Sequence, residues 1–406
     1  MTEETKPENQ PASIWPLDPD IDYLNHGSFG ACPRPVLEFQ TSLREKMERR
    51  PVEWFVTEVP KLLDEVRLVL AELLGTGPGN LAFVPNATYG INSVLRSLRL
   101  EPGDELVVTD HEYNACANAL RFVAESTGAK SVVAHIPFPL ASEREAAEAV
   151  HCKVGKRTRL VLVDHVTSPT ALVLPLERIV PELQAGGVDV LVDGAHAPGM
   201  LGIELDKLGA AYYTGNLHKW LCAPKGAAFL HVRPDRQELI QPVAISHGYN
   251  APAGERSRFQ QLFDWTGTCD FSAYLSVGKS IQVLGELFAG GLAELTRRNR
   301  RLAIEARRLL LDRLGIDPPC PESMLGSMAS LPLPDSDGPP PATPLYSDSL
   351  QQALREHHGI EVPVIPWPEH PRRLLRISAQ AYNTIDQYHH LARALDAELA
   401  GRRSSF

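Results

Sequence analysis

Between residues 80 and 232 the chain repeats one pattern: a short run that is apolar almost throughout, usually followed by a stretch long enough for a helix. The runs are LAFV (81–84), ELVVT (105–109), SVVAHI (131–136), RLVLVD (159–164), VDVLVD (188–193), AAYYTG (210–215) and GAAFLHV (226–232). A strand that is apolar on both sides needs cover on both sides, and a crossover helix joins neighbours that run in parallel. The expectation is therefore an α/β fold, a mostly parallel seven-stranded sheet with helices on both faces.

The flanks read differently. Two amphipathic helices come first, and in the second Val59, Leu62, Leu63, Val66, Leu70 and Leu73 keep helical spacing up to a C-capping Gly75. After residue 270 long helical patterns take over (about 273–289 and 292–314), then strand, helix, strand, strand, helix, which makes a small α+β unit. We expect a disordered arm over 1–20, a large α/β domain over 21–285 and a small C-terminal domain over 286–406. The first helices are expected to pack on the small domain, and the Pro-rich 334–344 reads as an exposed loop.

Composition narrows the function classes. The 40 basic against 50 acidic residues, a net charge of -10, argue against a nucleic-acid or anionic-membrane partner. No apolar run is long enough to span a bilayer, and the polar start lacks a signal-peptide pattern. Six cysteines without a CxxC pair suggest neither a metal site nor a disulfide framework, and point to a cytoplasmic setting.

In doubly wound sheets, ligands gather at the carboxyl ends of the strands. One run ends in Asp193-Gly194-Ala195-His196, and the next is followed by Asn216-Leu217-His218-Lys219-Trp220. Alone, such an acid is a turn or cap residue and such a lysine a solvated one. Together with a helix start at Pro85-Asn86-Ala87-Thr88 they match the needs of pyridoxal 5′-phosphate (PLP). That cofactor takes an amine for its aldehyde, a carboxylate for its ring nitrogen and free N–H groups for its phosphate.

Several stretches resemble the class V group of fold type I PLP enzymes, and in particular its isopenicillin N epimerase branch. They are Tyr23–Gly30, Thr109–Tyr113, His165–Thr170, Val192–Gly199 and Gly215–Leu221. The resemblance implies that Lys219 is the Schiff-base lysine and proton carrier, with Asp193 at the ring nitrogen and His196 beside the phenolic oxygen. Ala87, Thr88, Asn216 and His218 would contact phosphate, Ser168 would neighbour the cofactor, and Tyr113 would stack on it and serve as a second acid or base. Thr268, in Trp265-Thr266-Gly267-Thr268, would reach the neighbouring active site of a homodimer. Arg376, inside the apolar run Leu374–Ser378, reads as a structural ion pair or as the clamp on the substrate carboxylate, and the resemblance favours the clamp. Asn25 and His26 would lie near that carboxylate. His165 stays open between a core histidine and a site residue.

The implied activity is epimerisation or racemisation at the α-carbon of an amino acid, with Tyr113 and His26 as candidates for the second base. A carbon–sulfur β-lyase needs only one base, and transamination suits the same scaffold. Cysteine desulfuration needs a thiol shortly before the carboxylate arginine, and residues 357–375 contain none. A non-catalytic scaffold role sits poorly with retention of Lys219 and Asp193.

Overall fold

The structure is a computed structural model that describes residues 11–252, 254, 256–343 and 348–400. Its strands are β1 (Asp22–Tyr23), β2 (Leu81–Val84), β3 (Glu105–Thr109), β4 (Lys130–Ala134), β5 (Thr158–Asp164) and β6 (Asp189–Asp193). They continue with β7 (Tyr212–Asn216), β8 (Ala228–Val232), β9 (Met328–Leu333), β10 (Ile360–Glu361), β11 (Val364–Pro366) and β12 (Arg373–Ser378). The helices used below are α1 (Arg34–Arg49), α2 (Val59–Leu74), α3 (Ala87–Ser97), α4 (Asn114–Thr127), α5 (Gly291–Leu314), α6 (Ser349–His358) and α7 (Ile385–Leu399).

The seven expected runs form one seven-stranded sheet in the order β2-β8-β7-β6-β5-β3-β4. Alternate side chains leave opposite faces. Val161, Val163, Val190 and Val192 enter one apolar cluster, whereas Leu160, Leu162 and Leu191 enter the other. Because both clusters are covered, neither face needs a polar residue, and the runs look continuously apolar.

β8 departs from the parallel pattern, pairing antiparallel with both β7 and β2. The eleven residues 217–227 between β7 and β8 hold no helix, so the chain reverses rather than crossing over. β2 thereby runs in the same direction as β7. The carboxyl ends of β2, β3, β5, β6 and β7 all meet at one edge of the sheet.

β9, β11 and β12 form a separate antiparallel sheet, with Arg376 opposite Ser330. The N-terminal segment returns to this region, since β1 pairs in parallel with β10 and the Ser378 amide donates to Leu24 O at 3.0 Å. Of the expected arm, residues 1–10 lie outside the described residues. Packing begins before residue 21, because the Trp15 indole is buried, donates to Ala31 O at 3.2 Å and meets Tyr382 edge-on. α2 ends as expected at Gly75, which adopts φ 60. α1 packs on the helices at 272–285, where Gln40 donates to Ser272 Oγ. The described part of the Pro-rich loop, 334–343, joins β9 towards α6. No helix among the described residues is long and apolar enough to cross a membrane.

One buried ion pair holds β12 in place: Arg373 Nη1 lies 2.7 Å from Asp348 Oδ1, both side chains almost without exposure. Removing one member of such a pair strands the other charge. Asp348→Ala should therefore lower stability by about 3–5 kcal/mol. Chemical denaturation of Asp348→Ala, with Arg373→Met/Asp348→Leu as the recovering double variant, measures this.

Candidate active site

Lys219 sits in the hairpin connection between β7 and β8, held from beneath by the N-terminal segment. Gly30 has φ +70, and a Cβ there would come 2.2 Å from His218 O and 2.9 Å from Lys219 Cα. Only glycine fits both the dihedral and the approach. His26 completes the floor: its Nε2 lies 3.0 Å from Lys219 O, its Nδ1 lies 2.8 Å from Tyr382 Oη, and its ring packs on Trp220. Both nitrogens of this buried ring are engaged by the scaffold. The structure thus places His26 under the Lys219 backbone. Three residues past Lys219, Cys222 holds φ 55, a left-handed conformation unusual for a residue with a side chain.

The Lys219 amine faces His196, with Nζ 3.1 Å from Nε2. The Trp220 indole N–H, which can only donate, points at His196 Nδ1 at 3.4 Å. Burial, then Lys219, hold His196 well below its ordinary pKa, so the ring is neutral. A neutral ring that accepts at Nδ1 carries its proton at Nε2. His196 is therefore a neutral donor towards the amine. Lys219 can accept that proton only when uncharged. Burial, followed by the nearby Arg376 charge, lowers it from 10.5 to about 8.

Asp193 ends β6 in a buried cluster. Its Oδ1 accepts from the Ala195 amide at 2.8 Å, and its Oδ2 from the Cys116 thiol at 3.2 Å. Glu112 and Asp164, both buried, lie in the same cluster. Burial raises the pKa of all three carboxyls. Glu112 lay inside a stretch already singled out, yet no periodicity marks an acid as buried, and Asp164 looked like any strand-end acid.

At the end of β2, Asn86 caps α3 by accepting from the Tyr89 amide at 2.9 Å. The Ala87 amide donates to Asn216 Oδ1 at 2.9 Å, which joins two predicted contacts to each other. The Thr88 amide is left at the helix mouth without an intrahelical partner. His218 Nδ1 lies 3.1 Å from Ala227 O, and burial lowers its pKa to about 4.

Arg376 is 3% exposed. Its Nη1 donates to Ser168 O and Oγ at 2.7 and 3.2 Å, and its Nη2 donates to Ser28 Oγ at 2.9 Å. Ser28 in turn donates to Asn25 Oδ1 at 2.5 Å. Arg376 Nε has no hydrogen-bond partner, and no ion pair among the described residues includes this guanidinium. Three residues away in the same strand, Arg373 has its aspartate. The ion-pair alternative for Arg376 thus falls away, leaving a buried cation with no protein anion. Burial lowers it to about 10.

Tyr113 is 45% exposed, and its phenol lies within the electrostatic reach of Asp193 and Arg376. His165 donates or accepts at 2.8 Å with Tyr213 Oη, an arrangement that satisfies it in the core. Thr268 is exposed on the loop before Asp270 and does not join the Lys219 cluster within this chain. Ser28, Glu112, Cys116, Asp164 and Trp220 join the site without having been expected.

The donor set fits PLP: an amine lowered to about 8, a buried carboxylate, a neutral histidine donor and an open helix N-terminus.

The family model Aminotransferase class-V matches residues 36–389. An isopenicillin N epimerase from Streptomyces clavuligerus is 36% identical over 94% of this chain and 96% of its own length. A probable chloroplastic L-cysteine desulfhydrase from Arabidopsis thaliana is 30% identical over 93% of this chain and 83% of its own. Among solved structures, the cystine C–S lyase C-DES in complex with cysteine persulfide superposes with a TM-score of 0.77 at 23% identity. That match covers 93% of this chain and 97% of the other, and it establishes the shared fold. With the matched model covering most of its length and a 36% identical relative aligned nearly end to end, the chain belongs to the class V aminotransferase family of PLP-dependent enzymes.

Proposed function

We propose that the chain epimerises an amino acid at its α-carbon, with Lys219 and Tyr113 handling the proton on opposite faces. The observation that carries the reading is Arg376, a buried guanidinium that lacks an acid and shares its field with the Lys219 amine. A substrate carboxylate would supply the missing anion through two parallel hydrogen bonds. Ser168, Ser28 and Asn25 fix the orientation of the guanidinium.

Lys219 would hold the cofactor's aldehyde, Asp193 its ring nitrogen and His196 its phenolic oxygen. Ala87, Thr88, Asn216 and His218 would line the phosphate side, and Ser168 would neighbour the cofactor beside Arg376. Bound PLP supplies an electron sink that acidifies the substrate's α-proton. Lys219 takes that proton, and its lowered pKa keeps part of the amine neutral for the task near pH 7. Tyr113, whose pKa burial raises, stays protonated and delivers a proton from the other face.

A second reading is β-elimination at a carbon–sulfur bond of a cysteine-derived substrate. It draws on His26, one of two candidate second bases, having both ring nitrogens engaged elsewhere. Elimination needs Lys219 alone, and the desulfhydrase relatives carry names of that kind. Transamination would use the same residues. The exposed Thr268, with exposed apolar Phe29, Ile245 and Tyr249, supports a homodimer in which Thr268 serves the neighbouring site. Six unpaired cysteines support a cytoplasmic setting.

Incubation with an amino acid panel in deuterated water separates the reactions. Deuterium at the α-carbon with loss of optical purity is the expected result, whereas pyruvate with released sulfide or thiol replaces epimerisation by elimination. Lys219→Ala should lose the borohydride-reducible cofactor adduct and drop turnover by roughly 10²–10⁴-fold. Arg376→Lys keeps the charge but loses the bidentate grip, so KM should rise roughly 10–100-fold with a smaller change in kcat. The amine of Lys219 in the cofactor-stripped protein should react with acylating reagents with a midpoint near pH 8, against 10.5 for an ordinary lysine.

A further inference from the structure

Behind Asp193 lie two buried acids to which the proposed chemistry gives no task. Asp164 ends β5 and is the register partner of Asp193 at the end of β6. Glu112 precedes α4. A Glu112 carboxylate oxygen, the Cys116 thiol and an Asp193 oxygen all lie within 4.8 Å of one another.

The donors in this pocket are already assigned. Asp193 receives the Ala195 amide and the Cys116 thiol, and Glu112 Oε1 receives the Tyr113 amide at 3.2 Å. Glu112 Oε2 and Asp164 Oδ2 remain buried with no donor. Asp164 is the neighbour of Asp193 across the strand pair and Glu112 lies against the same Asp193, so the two carboxyls, each with a buried unpaired oxygen, share one pocket. As a pair of anions they would be unsatisfied and mutually repulsive. One proton satisfies both oxygens, because the resulting O–H donates across the gap.

We propose that Glu112 keeps its proton at neutral pH and donates it to Asp164, so that this pair adds at most one negative charge beside Asp193. Glu112 is then a positioning residue, acting through Asp164 and Asp193 on the charge offered to the cofactor ring. Only that consequence rests on the proposed function; the shared proton stands on the two buried, unpaired oxygens beside Asp193.

The groups facing Glu112 come from every neighbouring element. They are Asp164 from β5, Asp193 from β6, Cys116 from α4 and Tyr113 before it, while Lys219 from the β7–β8 connection faces the two aspartates and Arg376 from β12 faces Lys219. Burial and the two aspartates raise Glu112 well above its ordinary 4.5. The folded chain then binds one more proton than the unfolded chain above that pH. The resulting stability is complete below about 4.5 and declines as pH rises towards the folded value.

Infrared spectra of the full-length holoenzyme at pH 7 test the proposal. The wild type should show the carbonyl stretch of a protonated carboxylic acid, lost in Glu112→Gln and shifted in Asp164→Asn. In pH-dependent denaturation, Glu112→Gln should gain on the wild type as pH rises from 5 to 8, by up to about tenfold in the unfolding constant per pH unit. Absence of the band from the wild type, its persistence unchanged in Glu112→Gln, or parallel stability curves would overturn the proposal. If Glu112→Gln does not fold, an unshifted band in Asp164→Asn does so instead. The band is read with or without bound PLP, so failure of the cofactor assignment is distinguishable.

Discussion

The buried ring of His26 ties together three stretches of chain that are far apart in sequence. One nitrogen meets the Lys219 carbonyl and the other the Tyr382 hydroxyl, while Gly27 next to it donates to Ser378 Oγ at 3.1 Å. The N-terminal segment is thereby wedged between the β7–β8 connection and the end of β12. The amine on one side and the guanidinium on the other belong to different sheets. Their spacing depends on this wedge. Its tightness explains Gly30: a methyl group there would push directly into the backbone that carries the amine.

The large sheet was legible because burial on both faces writes itself into the sequence as continuous apolar runs; the edge strand β4, mostly exposed, was recognisable by its Val-rich run alone. The direction of β8 was not, since apolar content does not encode polarity. Only the short, helix-free stretch 217–227 shows that the chain must turn back. Strand-end polar residues such as Asp193 and His196 stood out against apolar neighbours. His26 stood out equally, but sequence does not say towards what a side chain points, and its ring turned out to serve the floor of the site. Glu112 and Asp164 were invisible for a related reason. An acid beside a polar stretch looks solvated until a neighbouring strand covers it.

Arg373 and Arg376 show how one strand divides structure from chemistry. Both guanidiniums are buried, so both oppose folding unless something answers their charge. Arg373 is answered within the chain by Asp348. Among the described residues Arg376 meets only neutral oxygens, from serine side chains and one carbonyl, which orient a cation without neutralising it. The loops after Ser168 and Lys219 also carry the two non-glycine residues with positive φ among the described residues, Ala171 at 57 and Cys222 at 55. They lie three residues beyond Ser168 and three beyond Lys219. Such conformations cost of order 1–3 kcal/mol each and persist where surrounding packing over-determines them. The fold thus holds an unanswered cation, a partly neutral amine and two strained loops around one space. That combination opposes stability in the free protein, and in the proposed function a substrate carboxylate would answer the cation.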